Sequence, residues 1–282
     1  MPDKGSTISE KPDTNAWEKQ TNEQNNKSIT YIALDNYENS SKKPKAMVID
    51  DMETLVVQTQ ERFSRALKRR YQYESNLQPA QEFLLHHVNS KIPLVIMYVD
   101  LVGSTKMSMT LPVEKMVTVI RGFAYEMSYL VHSHGGFVLK YVGDAVIAFF
   151  PFLYDKSLAC DRAVQCAKSM VTVIQKGLSP ILEQYTHLEL KVKVGLDQGE
   201  SVIIQYGHDK TSHIDLLGYC MNRSAKLTSL TYPNTVTIGE DVYGFLTPQM
   251  RMSFNEVTFS AEKWKYIDTQ TGLVYKLYAD II

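Results

Sequence analysis

Two apolar stretches decide the fold of this chain: LVIMYVD at residues 94–100 and FVLKYVGDAVIAFF at residues 137–150. Both have the pattern of buried strands, and each brings one aspartate, Asp100 or Asp144, to a strand end. A buried carboxylate is costly unless it is paired, hydrogen-bonded or bound to a metal ion. If the strands are neighbours in one sheet, the two carboxylates meet at one edge, where they can hold divalent cations against a polyphosphate.

The elements around these stretches follow the order β-α-β-β-α-β. A long helix is expected after the first strand, with Thr110 as its N-cap and Pro112 near its first position. Residues 143–144 form the loop of a hairpin, a second helix covers residues 156–176, and an alternating strand covers residues 188–194. We therefore predict an α+β fold: a ferredoxin-like βαββαβ core sheet with helices on one face, extended by C-terminal strands and helices.

Composition narrows the class of protein. The chain has 282 residues, of which 44% are hydrophobic, so it can bury a sizeable core. Its net charge of −1 gives no argument for a nucleic-acid partner. Its apolar runs are shorter than the roughly 20 residues that span a bilayer. The three cysteines have neither metal-ligand spacing nor a disulfide pattern, which favours a reducing compartment. We expect a cytoplasmic protein without a transmembrane segment.

Three segments are expected along the chain. Residues 1–44 are polar, with little to bury, and are predicted to be a disordered tail. Residues 45–90 form a helical N-terminal segment, and residues 91–282 form the main domain. The helix within residues 50–73 has an apolar stripe beside a basic run. It is either a dimerisation, partner-binding or regulatory element, or an ordinary amphipathic helix packed on the domain.

Four motifs resemble those of class III nucleotidyl cyclases, the adenylate and guanylate cyclase family. They are YVDLVGST at residues 98–105, GG-x3-K-x2-GD at 135–144, GLDQG at 195–199 and D-x2-G-x3-N-x3-KL at 215–227. The third resembles the strand and turn that follow the second in the family. The motifs occur in the family's order, and the resemblance covers the chain from about residue 92 to the C-terminus. It implies that residues 91–282 are a nucleotide cyclase catalytic domain.

The resemblance implies a two-metal site. Asp100 and Asp144 would hold two Mg²⁺ or Mn²⁺ ions, with the backbone carbonyl of Leu101 as a further ligand. The ions would activate the ribose 3′-hydroxyl for attack on the α-phosphorus and ease the departure of pyrophosphate. The amides that would cradle the triphosphate lie in the turn from about Val102, which contains Gly103, Ser104 and Thr105.

The resemblance also implies the base that is recognised. In the family, a lysine of the hairpin and an aspartate before the last helix recognise adenine, and the matching positions are Lys140 and Asp215. Guanine presents the opposite polarity at both positions, so the pair points to ATP rather than GTP. A lysine near the C-terminus contacts the triphosphate in the family. The candidates are Lys263 and Lys265, and we favour Lys265.

The last motif departs from the family at one catalytic position. Asn222 would position the ribose, and the residue four positions later, which shares its helix face, is an arginine in the family. Here it is Lys226, which keeps the charge but loses the planar fork of donors. Losing a transition-state donor costs about 10- to 1000-fold in rate. Arg223 is nearby in sequence, although about 100° around the helix from Asn222, and its role as a substitute stays open.

We therefore predict an adenylate cyclase that converts ATP to 3′,5′-cyclic AMP and pyrophosphate and acts in signal transduction. In the family the metal aspartates come from one subunit and the other groups from its partner, which implies a homodimer with two equivalent sites. The alternative is a catalytically weakened nucleotide-binding module with a regulatory or dimerisation role. Lys226 favours this alternative, whereas the intact metal and base-recognising positions oppose it.

Overall fold

The computed structural model describes residues 51–69, 77–152, 155–207, 209, 212–268 and 271–280. The predicted disordered tail, residues 1–44, lies outside the described residues. The helices are α1 Met52–Arg69, α2 Gln78–Leu85, α3 Ser104–Thr110, α4 Val113–Ser133, α5 Lys156–Thr172, α6 Ser179–Thr186, α7 Tyr219–Leu230, α8 Glu240–Phe245 and α9 Pro248–Arg251, with a π-helical segment Val173–Leu178 between α5 and α6. The strands are β1 Lys91–Leu101, β2 Phe137–Val142, β3 Ala145–Pro151, β4 Val192–Tyr206, β5 His213–Leu217, β6 Thr235–Gly239, β7 Phe254–Val257 and β8 Leu277–Asp280.

The strands form one sheet in the order β2-β3-β1-β4-β6-β8-β7, and β5 pairs with β4 beside this path. The central strand β1 is antiparallel to both β3 and β4, whereas β6 runs parallel to β4. Side chains on both faces of β1 are buried, as its continuous apolar sequence predicts. The mixed α+β class and the βαββαβ order are confirmed.

Helices cover both faces of the sheet. Leu196 of β4 points into the core that α4 and α5 share. Its neighbour Gly195 faces α7, where a Cβ atom would come within 2.6 Å of the Thr228 backbone nitrogen. Because successive residues of a strand point to opposite faces, α7 lies across the sheet from α5. The expectation that the helices of the βαββαβ core lie on one face is confirmed for α4 and α5, whereas α7, part of the C-terminal extension, lies on the other face.

The α2 helix lies on the same face as α7. Its Phe83 stacks on Phe137 of β2 with ring centroids 5.0 Å apart and contacts Phe149 of β3 at 5.7 Å. Phe150, the next residue of β3, points instead into the core beneath α4 and α5. These aromatic contacts show that β2 and β3 also bury both faces.

Several local features differ from the sequence prediction. Thr110 ends α3 rather than capping α4, because its hydroxyl donates back to the Lys106 carbonyl at 2.8 Å. Pro112 occupies the N-cap position of α4. The α5 helix ends at Thr172, where π-helical hydrogen bonding begins. The GLDQG motif contains no turn: residues 195–199 lie inside β4, a strand of 15 residues.

The α1 helix packs on the main domain, and the two belong to one compact unit. Phe63 is fully buried and Leu55 is 4% exposed, and both contribute to the core beneath α4. Arg62 pairs with Glu126 of α4, whose side chain is fully buried. One face of the helix is thus occupied within the chain, which favours the packed amphipathic helix. No helix among the described residues is both long and apolar enough to cross a membrane.

Candidate active site

The sheet brings Asp100 and Asp144 to the same edge. Val99 of β1 pairs with Val146 of β3, so both aspartates lie just beyond the last paired residues of neighbouring strands. Burial is the largest cause that raises the pKa of Asp100, and the negative charge of Asp144 raises it further. Lys193, which lies opposite Asp100 on β4, lowers it. Two partly buried carboxylates that repel each other form a site that a cation would stabilise.

This donor set fits a hard divalent cation. Carboxylate and backbone oxygens are the ligands that Mg²⁺ and Mn²⁺ prefer. Within the described part of the chain, no group of three or more histidine, cysteine, aspartate or glutamate side chains is arranged to hold a metal ion. Asp100 and Asp144 would therefore need a further ligand from backbone, substrate or water. Leu101, the predicted backbone ligand, ends β1 directly after Asp100.

The turn after β1 presents backbone N–H groups at the start of α3. Gly103 takes φ +78°, and a Cβ atom built on it would meet nothing within 4 Å. Ser104 and Thr105 open the helix, where the first amides have no partner within the helix. The amide of Val102 differs, since it donates to the Lys191 carbonyl at 2.9 Å. Of the amides predicted to bind the triphosphate, that of Val102 is therefore already bonded within the chain, and those of residues 103–105 are the remaining candidates.

Lys140 of β2 and Asp215 of β5 form an ion pair within one chain, although 75 residues separate them. The two side chains are 31% and 15% exposed, so the pair is accessible yet partly desolvated. Asp215 also accepts a hydrogen bond from the Leu216 amide at 2.9 Å. The pair therefore presents one cationic donor and one anionic acceptor side by side.

Tyr98 is a site residue that sequence reasoning missed. Burial is the main cause that raises the pKa of its hydroxyl, and the charge of Asp215 adds to it. Tyr98 therefore lies near Asp215 of the base-recognising pair, and it shares one face of β1 with Asp100. The available signal was the period of two along the strand, which puts Tyr98 and Asp100 on one side.

The α7 helix turns Asn222 and Lys226 away from the core. Asn222 is exposed and Lys226 is half-buried, and no described carboxylate forms an ion pair with Lys226. Arg223 points inward, into an ion pair with Asp197 and a 2.7 Å contact with Asp241. Its guanidinium is therefore held by carboxylates of its own domain, which argues against a role in place of the family's arginine.

Lys263 and Lys265 lie in the connection between β7 and β8, and both are exposed. Trp264 between them is buried and donates from its indole nitrogen to the Tyr275 carbonyl at 2.8 Å. This anchor holds the segment against the domain while the two flanking lysines face outward. Nothing in these contacts distinguishes Lys265 from Lys263 as the phosphate contact.

The sequence of this chain is similar to those of several nucleotide cyclases. A cytidylate cyclase of Escherichia coli is 27% identical over 179 residues, which cover 61% of this chain and 40% of the relative. A uridylate cyclase of Burkholderia cepacia is 25% identical, covering 64% of this chain and 77% of the relative. Adenylate cyclase 2 of Rhizobium meliloti (strain 1021) is 26% identical, covering 55% of this chain and 42% of the relative. The chain thus spans less than half the length of two of these three relatives.

Solved structures and a family model agree with the sequence relatives. The guanylyl cyclase Cya2 superimposes with a TM-score of 0.58 at 18% identity, covering 68% of this chain and 93% of that one. The adenylyl cyclase CyaB from P. aeruginosa superimposes with a TM-score of 0.56, also at 18% identity, covering 68% of this chain and 95% of that one. Residues 87–266 match the model of the adenylate and guanylate cyclase catalytic domain. The chain therefore belongs to the family of adenylate and guanylate cyclase catalytic domains.

Proposed function

We propose that this protein is an adenylate cyclase that converts ATP to 3′,5′-cyclic AMP and pyrophosphate. The observation that carries the proposal is the partly buried Lys140–Asp215 ion pair. Lysine has only donors, and an ionised aspartate has only acceptors. The edge of adenine is complementary, because ring N1 accepts a hydrogen bond and the 6-amino group donates one.

The same pair disfavours guanine and uracil. At the two corresponding positions these bases carry a ring N–H, which faces the lysine, and a carbonyl oxygen, which faces the aspartate. Each reversed contact leaves a desolvated polar group unpaired, and sites built on such hydrogen bonds discriminate strongly. GTP and UTP are therefore expected to be poor substrates.

CTP is the second candidate substrate. Cytosine repeats the adenine pattern, with ring N3 as acceptor and the 4-amino group as donor, so Lys140 and Asp215 accept either base. An E. coli relative named cytidylate cyclase supports this candidate. The discrimination between ATP and CTP would then depend on base size, and Tyr98, which is near enough to Asp215 for that charge to raise the pKa of its hydroxyl, is our candidate for the side chain that senses it.

We assign metal-binding and catalytic roles to the remaining site residues. Asp100 and Asp144 would hold two Mg²⁺ or Mn²⁺ ions, which when bound activate the 3′-hydroxyl and neutralise phosphate charge. Asn222 orients the ribose, and the Lys226 ammonium offsets the charge that develops on the transferring phosphate. The partner subunit of a homodimer supplies the base-recognising and α7 groups to each pair of metal aspartates. Lys226 also supports the alternative, a weakened nucleotide-binding module, since it lacks the fork of an arginine.

The purified chain, incubated with Mn²⁺ and each of the four nucleoside triphosphates, tests the proposal by mass spectrometry of the products. We expect cyclic AMP from ATP, and loss of product with retained nucleotide binding in Asp144→Asn. Lys140→Gln should weaken the preference for ATP over GTP. Its matched control is Lys91→Gln, since Lys91 pairs with Glu200 at an exposed site.

Each contrary outcome of this experiment has a distinct meaning. Cyclic CMP as the main product would replace ATP by CTP and keep the base-recognition argument. Cyclic GMP or cyclic UMP as the main product would contradict that argument. Nucleotide binding without any cyclic product would establish the regulatory module instead.

A further inference from the structure

A buried ionic network lies directly behind the catalytic face of α7. Asp197 of β4 is fully buried and forms an ion pair with the Nε atom of Arg223. The hydroxyl of Tyr275 donates to Asp197 Oδ1 at 2.7 Å, and the Gln198 amide donates to it at 2.9 Å. Burial raises the pKa of Asp197 to about 7, although the charge of Arg223 and the Tyr275 hydrogen bond lower it.

Arg223 is held on several sides at once. Its Nη2 atom donates to Asp241 Oδ2 at 2.7 Å and to the Gln198 carbonyl at 3.0 Å. The guanidinium carbon lies 4.0 Å from the centroid of the Tyr275 ring. These contacts bind one side chain of α7 to β4, to the start of α8 and to the residues before β8. A planar fork with five donors satisfies such a set, whereas a lysine does not.

Stability alone does not account for this arrangement. A buried ion pair is often no more stabilising than well-packed apolar residues of similar volume, because both charges lose their hydration. The ion pair can instead fix the orientation of α7 about its own axis. Arg223 directly follows Asn222 and precedes Lys226 by three residues. With about 100° of rotation per residue, Asn222 lies about 100° and Lys226 about 60° around the helix from Arg223, so fixing Arg223 inward also fixes the directions of these two side chains.

The two halves of α7 have separate anchors. In the second half, Thr228 lies against Gly195 of β4, and its hydroxyl donates to the Tyr98 carbonyl of β1 at 3.4 Å. At the middle, the Ser224 hydroxyl donates to the Ile96 carbonyl of β1 at 3.2 Å. The first half, which carries Asn222, is tied to the sheet by Arg223 and by Cys220, whose Sγ lies 3.3 Å from the Ser201 hydroxyl of β4. Loss of the ion pair therefore removes the charged one of these two ties and is expected to loosen the end of the helix that positions the ribose.

We propose that Arg223, through its ion pair with Asp197, is the positioning residue that sets the rotation of α7 and so places Asn222 and Lys226 for the reaction. The inference rests on the proposed nucleotide cyclase function for its catalytic consequence. Its structural part, the orientation of α7, is independent of the substrate. The pair contacts no nucleotide in this scheme, so its loss is expected to act on kcat rather than on KM.

The test removes both charges together, so that neither is left buried alone. The double variant Asp197→Asn/Arg223→Gln is compared with Glu126→Gln/Arg62→Gln, which removes a second buried ion pair remote from α7. We expect kcat to fall roughly 10- to 100-fold in the first variant, as for an ångström-scale misplacement, with KM within about threefold. The second variant should keep its kcat. Amide hydrogen exchange in Tyr219–Leu230 should accelerate only in the first.

Two further outcomes keep the inference falsifiable. If the first double variant fails to fold, Arg223→Lys retains the charge and loses the fork, and the same fall in kcat at unchanged KM is expected. An unchanged kcat, an equal fall in both double variants, or unchanged exchange across α7 would overturn the inference. A wild-type chain that makes no cyclic nucleotide would refute the proposed function, while the exchange measurement would still decide whether the pair fixes the helix.

Discussion

Removing the Arg62 guanidinium is expected to be one of the most destabilising single changes at the surface of α1. The carboxylate of Glu126 is fully buried and accepts hydrogen bonds from Arg62 at 3.2 and 2.7 Å and from Thr59 at 3.3 Å. In Arg62→Met only the Thr59 contact remains. Breaking one partner of a buried ion pair costs about 3–5 kcal/mol, because the other charge stays buried without compensation.

The loss should depend on pH in a defined direction. Burial already raises the pKa of Glu126, while Arg62 and Thr59 lower it, so removing Arg62 raises it further. A carboxyl group with a raised folded-state pKa contributes stability at low pH, and that stability is lost as the pH rises through the folded-state value. The deficit of Arg62→Met relative to wild type should therefore be smaller at pH 5 than at pH 8.

Urea denaturation of the full chain at both pH values measures the effect. The matched control is Arg65→Met on the same helix, since Arg65 is exposed and should change stability by less than about 0.5 kcal/mol. Adding Glu126→Gln to Arg62→Met should recover much of the loss. A cost below about 1 kcal/mol, or a deficit that does not shrink at pH 5, would refute the assignment of Glu126 as a buried charge compensated by Arg62.

Two further changes test the site and its support. Lys226→Arg should raise kcat about 10- to 1000-fold with little change in KM, because the fork of donors is restored; no change would mean that another group offsets the phosphate charge. Gly239→Ala should destabilise by about 1–3 kcal/mol in denaturation experiments, since a Cβ atom would come within 2.5 Å of Asp197 Oδ1 and 2.7 Å of the Tyr275 hydroxyl. Gly244→Ala in α8 is its control, because a Cβ atom there meets nothing within 4 Å; an equal loss in both variants would contradict the crowding argument.

Local patterns in the sequence were sufficient for the order of the elements and for the edge where Asp100 and Asp144 meet. The apolar runs of β1 and β3 are continuous, which indicates buried strands. Gly143 has φ +62°, a conformation that glycine adopts readily, and this marks the position of the hairpin turn. Helix boundaries were less accurate. The long helix α4 begins at Val113, close to its predicted start, but an additional short helix, α3, precedes it, and Thr110, the expected N-cap of α4, ends α3 instead.

The tertiary structure was needed to show which partner each charged side chain contacts, because residues of the same type look alike in the sequence. In the sequence, Arg223 and Lys226 are two cations on one helix, and only packing shows that the first is buried against Asp197 while the second faces outward. Lys140 and Asp215 are 75 residues apart: the resemblance to the cyclase family assigns them one role, and the tertiary structure shows that the two side chains are in contact. Sequence periodicity reports which local face a side chain occupies. Which partner it meets there depends on strand register and helix placement, and these arise from contacts over the whole chain.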